Sequence, residues 1–329
     1  MRPVTNLLVL YTGGTIGMLE TPQGLAPAGG FDARMREHLA QLSDAPQLRW
    51  SLLELNPLID SANMQQANWL AMRDAIVEAV EHGGHDGVLV LHGTDTLAYS
   101  AAALSFLLLG LPVPVLLTGS MLPAGTPDSD AWDNLVGALR QFEQGLANGV
   151  QLYFHGQLLH GCRAAKLRSE AFDAFTAPAR DRHGERAAEL PAALGYRQPR
   201  TPVKLAVMPV FPGLAAEHLH GLFASGIQGL VLECYGSGTG PSDDQALLDA
   251  LHTARQRGVV IVAISQCAEG SVVFDTYAAG SRLRDTGLVS GGGMTREAAL
   301  GKLFALLGAG LDADATEHWL ALDLCGERA

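Results

Sequence analysis

An apolar run that breaks at glycine, with threonine close behind, occurs twice in this sequence, and it confines the fold more than any other feature. The first run, residues 6–11, breaks into Thr12-Gly13-Gly14-Thr15-Ile16-Gly17; the second, residues 87–91, breaks into His92-Gly93-Thr94-Asp95-Thr96. Continuous apolar runs belong to strands covered on both faces, as in a mainly parallel sheet between helices. Runs at 113–118 and 151–155 extend that sheet, and the helical stretch 65–82 places Trp69, Met72, Ile76 and Val80 on one face. Strand and helix alternate, which predicts an α/β fold. Glycine at the carboxyl end of such a strand permits a tight turn and close backbone approach, at the edge where these sheets bind ligands.

At 329 residues the chain is too long for one domain of ordinary size, and two α/β domains are expected. Over 179–202 the periodicity dissolves into Arg, Glu, Ala, Gly and Pro. It resumes with strands at 204–209, 229–234 and 258–264, helices near 214–224 and 245–257, and final helices at 295–307 and 313–320. The expected layout is two doubly wound α/β domains: a larger one at 1–185 with a mainly parallel sheet, a linker at 186–203, and a smaller flavodoxin-like domain at 204–329.

A formal net charge of −12 provides no basic stripe for a nucleic-acid backbone or an anionic membrane, so neither is an expected partner. A small neutral or zwitterionic ligand suits the chain better. The apolar start at 7–10 is too short for a signal segment, and no stretch reaches the ~18 apolar residues of a membrane span. A cytoplasmic location is expected. Cys162, Cys234, Cys267 and Cys325 are scattered without metal-site spacing, and Gly83 and Gly84 break the helix that would align His82 with His85. Neither a metal nor another cofactor is expected.

The turn carrying Thr15 has the spacing of neither a dinucleotide fingerprint nor a P-loop. In the second turn, Thr94, Asp95 or Thr96 could cap the apolar helix that follows, a role worth about 1 kcal/mol. Two hydroxyls and a carboxylate exceed what capping requires and point to a polar site. Lys166, in Arg163-Ala164-Ala165-Lys166 after the strand-like 158–162, would stay charged beside Asp95 and could bias a threonine hydroxyl toward deprotonation.

Together, the segment 11–17, the segment 92–96 and Lys166 resemble the bacterial-type L-asparaginase and glutaminase family. Asp60-Ser61-Ala62-Asn63-Met64, Thr118-Gly119-Ser120, Ser129-Asp130, Tyr235-Gly236-Ser237-Gly238, Gln266-Cys267 and Met294-Thr295-Arg296-Glu297-Ala298-Ala299 extend the resemblance over nearly the whole chain, most like the cytoplasmic type I branch. The resemblance implies hydrolysis of L-asparagine, with Thr15 as nucleophile and an acyl-enzyme ester. Thr94, Asp95 and Lys166 would form a second catalytic cluster. Gly14, Asp60, Ser61, Gly93, Thr94, Asp95 and Ser120 would line the substrate, Ser61 on its α-carboxylate and Asp95 on its α-ammonium. It also implies a homodimer or homotetramer, and an inter-subunit or allosteric region at Thr239, Gln266 and Cys267, where Thr239 replaces a frequent asparagine.

A second departure lies beside the nucleophile. The loop after Gly17 should present a tyrosine, but Leu25 stands there, and a leucine cannot accept a proton. Tyr277 and Tyr11 are the candidates to replace it, Tyr277 favoured because Tyr11 sits on the strand itself. Asparagine and glutamine differ by one methylene, worth only ~1 to 3 kcal/mol of discrimination. An amidotransferase subunit and an amino-acid-binding protein without turnover are the competing readings. The first would bring an added amino-terminal domain, and the second gains little from both threonines and the lysine.

Overall fold

In the computed structural model, residues 3–22, 24–179 and 184–328 are described. The chain divides into two compact units between Ala177 and Pro178. The first contains β1 (Asn6–Gly13), the hairpin of β2 (Met18–Thr21) and β3 (Gly24–Pro27), α1 (Phe31–Gln41), β4 (Arg49–Ile59), α2 (Gln66–Glu81) and β5 (Gly87–Leu91). It continues through α3 (Leu97–Leu107), β6 (Pro114–Thr118), α4 (Ala131–Gln144), β7 (Gly149–Phe154), β8 (Gln157–His160), β9 (Ala165–Lys166) and β10 (Phe175–Thr176).

Its main sheet runs β4-β1-β5-β6-β7-β8, parallel throughout except for β8, which returns antiparallel on β7. From β1 the chain winds first to β4 on one side and then back to β5 on the other. The direction of winding therefore reverses at β1 and β5, and the crevice beyond their carboxyl ends is the topological switch point where α/β sheets bind ligands. Both glycine turns open into that crevice. One face of the sheet, with Leu7, Val9, Tyr11, Leu89, Leu91 and Leu116, forms a common core with Phe31 and Met35 of α1 and with Leu135, Ala138, Leu139 and Phe142 of α4. Helix α3 is apolar all round and buried along nearly its whole length, as the continuous apolar run predicts.

The second unit contains β11 (Leu205–Pro209), α5 (Ala216–Ala224), β12 (Gly229–Cys234), α6 (Gln245–Gln256), β13 (Val260–Ser265), α7 (Ala278–Asp285), β14 (Val289–Ser290), α8 (Arg296–Gly308) and α9 (Ala313–Ala321). Its sheet is parallel, in the order β11-β12-β13-β14. Leu230, Leu232, Ile261 and Ala263 share a core with Leu219 of α5 and with Leu247 and Leu251 of α6. Helices α8 and α9 also pack on this sheet. The two-domain, doubly wound expectation is met.

The 186–203 segment, read as a linker, is tied into the second unit. Leu194 and Tyr196 are buried, the backbone at Arg186 forms a parallel β-bridge with that at Asp323, and Arg200 Nε donates to Ala305 O at 3.0 Å. Its few apolar anchors have no regular spacing, so no period reveals them. The sequence reading also leaves out β4, an edge strand whose residues alternate in exposure, with Trp50 and Leu52 packed against the core and Leu53 exposed. Among the described residues no helix is long and apolar enough to cross a membrane. Among the described residues none of the four cysteines forms a disulfide.

Candidate active site

The turn after β1 is built from close backbone contacts. Gly13 and Gly14 have φ of 111° and 82°, in the range that favours glycine. A Cβ on Gly13 would lie 2.4 Å from Ile59 O, and one on Gly14 would lie 2.2 Å from Gly93 N. Any side chain at Gly14 would push apart the two loops that carry the candidate threonines.

The turn is fixed from behind. Gly14 N–H donates to Ile59 O at 3.1 Å, Ala124 N–H donates to Ile16 O at 3.1 Å, and Arg34 Nη2 donates to Gly17 O at 3.0 Å. Thr15 opens a short 3₁₀ turn, Thr15–Gly17, and is half-buried. No described residue hydrogen-bonds its hydroxyl, which leaves the oxygen available for attack.

The second turn meets the first at Gly93. A Cβ on Gly93 would sit 2.4 Å from Ser61 Oγ and 3.1 Å from Gly14 Cα, so Gly93 joins the Thr15 turn to the Ser61 turn. None of the three polar residues of the second turn acts as a side-chain cap for α3. Thr96 instead donates to Ser61 O at 2.8 Å. Asp60 accepts from Ala62 N at 3.3 Å and caps the Ser61–Asn63 turn, and Ser61 is buried. Ser120 is buried and follows Gly119, which packs on His92 O, but it donates its hydroxyl proton to Leu122 O at 2.6 Å, within its own loop.

Lys166 reaches the second turn through a series of local signals. His155 and Gly156, with φ of 47° and 74°, make the tight turn between β7 and β8. The chain then passes through the Gly161–Arg163 turn into β9, which pairs with β10 opposite Phe175. Lys166 Nζ donates to Thr94 Oγ1 at 3.0 Å and to Asp95 Oδ1 at 2.8 Å. The Lys166 side chain is 20% exposed and that of Asp95 62%, so the pair contributes little to stability. Its importance is chemical: the ammonium occupies a lone pair of Thr94 Oγ1, so the Thr94 proton points elsewhere, and negative charge on that oxygen is favoured.

Tyr11 does not supply the missing phenol. Its hydroxyl donates to Ala28 O at 3.1 Å, its ring stacks on Phe31 at 5.2 Å, and burial pushes its pKa up to about 12. A Cβ on Gly17 would meet the Tyr11 hydroxyl at 1.9 Å, so the phenol supports the turn from the core side. Tyr11→Phe should therefore keep turnover within about twofold while losing about 1 kcal/mol of stability, checked by paired kinetics and thermal melts. Leu25 lies on β3 opposite Glu20 and is 51% exposed.

The remaining candidates lie in the second unit. Tyr277 is 62% exposed at the start of α7. Thr239 closes a tight loop on Tyr235 O. Gln266 Nε2 donates to Val210 O and Glu233 O, both at 2.6 Å, which ties the ends of β11 and β12. Cys267 carries an exposed thiol. Two residues behind the turns have no role assigned in the sequence reading. Arg34 gives no signal beyond an ordinary helical charge, whereas His92, fully buried, stands inside the second motif.

Residues 6–191 match the family described as Asparaginase, N-terminal, and residues 204–320 match the Glutaminase/Asparaginase C-terminal domain. The chain belongs to the asparaginase family. It is 34% identical to L-asparaginase 1 of Escherichia coli K12, covering 98% of this chain and 97% of that one. It is also 35% identical to the human 60 kDa lysophospholipase, covering 99% of this chain and 62% of that longer protein. L-asparaginase I from Vibrio cholerae superposes with a TM-score of 0.83 at 32% identity, covering 99% of each chain. The resemblance drawn from the two glycine turns and Lys166 is borne out at the level of the family and of the whole fold.

Proposed function

We propose that the chain hydrolyses the side-chain amide of L-asparagine to L-aspartate and ammonia, through an ester on Thr15. The observation that supports this reading is the contact of Gly14 with Gly93, which packs the turn carrying Thr15 against the turn carrying the Lys166–Thr94–Asp95 cluster. In the first step Thr15 Oγ1 attacks the amide carbon, its proton passes to a base, and the C–N bond breaks as that base returns the proton to the leaving nitrogen, which departs as ammonia. In the second step water attacks the ester carbonyl, and Thr15 recovers its proton. Lys166 and Asp95 hold Thr94 ready to orient and deprotonate that water. Ser61 and Asp95 receive the α-carboxylate and α-ammonium, and backbone N–H groups near Thr94 and the glycine turn stabilise the oxyanion.

On the family resemblance the chain acts as a cytoplasmic homodimer or homotetramer, and Tyr277 takes the place of the loop tyrosine absent at Leu25. Tyr277→Phe should then lower kcat by about 10²-fold, the size expected for loss of a positioned base. Full turnover in that variant removes Tyr277 from the mechanism. The reading itself is tested by quenching wild-type enzyme with L-asparagine in the first turnover and locating the adduct by mass spectrometry. An aspartyl ester on the peptide containing Thr15, together with one ammonia released per aspartate, is the expected result. Turnover with no adduct on that peptide would overturn Thr15 as the nucleophile.

A further inference from the structure

Behind the second turn, a line of buried polar groups runs from α2 to Gly93. Trp69 Nε1 donates to Ser100 Oγ at 2.9 Å, Ser100 Oγ lies 2.8 Å from His92 Nε2, and His92 Nδ1 lies 2.7 Å from Gly93 O. Ser100 and His92 are fully buried, and Trp69 nearly so.

The donors and acceptors of this chain fit together in one way. An indole N–H only donates, so Ser100 Oγ accepts from Trp69 and sends its own proton to His92 Nε2. Nε2 is then the acceptor nitrogen, and the proton of the neutral ring sits on Nδ1, facing the Gly93 carbonyl. With the proton on Nε2 instead, two acceptors would face each other at 2.7 Å and the Ser100 proton would lose its partner. Burial keeps the ring neutral by lowering the pKa of His92 to about 4.

The residue held by this line is the one at which the site loops meet, since Gly93 touches both Gly14 and Ser61 and is followed by Thr94. Further main-chain contacts secure His92 itself, from the neighbouring strand and the residues after it. His92 N–H donates to Thr118 O at 2.9 Å, and Gly119 packs so closely on His92 O that a Cβ there would lie 2.2 Å away. A histidine that merely filled the core would not need a tautomer fixed from two sides.

We infer that His92, locked as the Nδ1–H tautomer by Trp69 and Ser100, is a positioning residue that orients the Gly93 peptide and so sets the spacing of Thr15, Ser61 and Thr94. Its effect on turnover rests on the proposed asparaginase reading, but the tautomer does not.

Nitrogen-15 NMR of the full-length wild type should show a neutral His92 protonated on Nδ1 at pH 7. Ser100→Ala removes the donor to Nε2; it should shift the ring toward the other tautomer and lower kcat about tenfold, with KM within twofold. His92→Asn places an amide nitrogen where Nδ1 stood and should retain at least tenfold more kcat than His92→Leu, both variants being compared only if their melts match wild type. If the histidine variants do not fold, the Ser100→Ala pair of readouts decides alone. A wild-type ring protonated on Nε2, a cationic ring at pH 7, or Ser100→Ala with kcat unchanged would overturn the inference. Failure of the asparaginase reading shows separately, as a wild type that releases no ammonia. L-aspartate affinity then replaces kcat as the readout, and a Ser100→Ala affinity within twofold of wild type would overturn the inference equally.

Discussion

Thr15→Ala should reduce ammonia release from L-asparagine by at least about 10³-fold in kcat, with L-aspartate still bound. The loss is large because removing a nucleophile leaves only the binding and oxyanion contributions to act on water. The fold should tolerate the change. Thr15 is half-buried, its hydroxyl has no described partner, and the turn is held by backbone bonds to Ile59 and Ala124 and by Arg34 on Gly17. A melting temperature close to wild type, alongside abolished turnover, is therefore the expected pair of results. Turnover that survives within tenfold would mean that another group attacks the amide, and a collapsed melt would mean that the hydroxyl has a structural role.

The largest effect on stability should come from Lys302→Met. Lys302 and Glu327 are both fully buried and 2.6 Å apart. Lys302 Nζ also donates to Leu320 O at 3.2 Å and to Leu322 O, while Glu327 accepts from the amides of Leu324 and Cys325. Removing the ammonium strands a carboxylate in the core, which costs about 3 to 5 kcal/mol, or roughly 6 to 20 °C in melting temperature for a unit of this size. Calorimetry tests this directly. A second signature lies in pH. Burial alone would raise the Glu327 pKa from its ordinary value of 4.5, but Lys302 and the backbone amides outweigh burial and hold it at about 2. A carboxylate with a depressed pKa gives its full stabilisation above the ordinary value and loses it as pH falls from about 4.5 toward about 2. The destabilisation caused by Glu327→Gln should shrink across that window, and a difference independent of pH would rule out the ion pair as its source.

The parts of the site legible in the sequence are those that obey a local rule. Thr15 and Thr94 follow buried strands and each comes directly after a glycine, so their place at a carboxyl sheet edge can be read without the fold. Lys166 is only weakly legible before the family resemblance is drawn, because a tight turn and a short strand pair, not its local sequence, deliver it to Thr94. Strand β4 gives a weak signal, since an edge strand with alternating polar positions lacks the apolar run of its neighbours. The Lys302–Glu327 pair is illegible for the opposite reason: a lone lysine on an apolar helix reads as a solvated charge, and its partner lies beyond the next helix. His92 stands in the motif, but its role depends on Ser100 one helix later and on Trp69 one helix earlier.

The turn carrying Thr15 is tied from two sides. Gly14, Ile16 and Gly17 bond to Ile59, Ala124 and Arg34 in the body of the unit, while the Thr15 carbonyl accepts from the N–H of Met18, the first residue of the β2–β3 hairpin. The hairpin is thus an outgrowth of the turn that shares one bond with it. A side chain on its exposed surface, such as Leu25, can change without touching any of these four bonds.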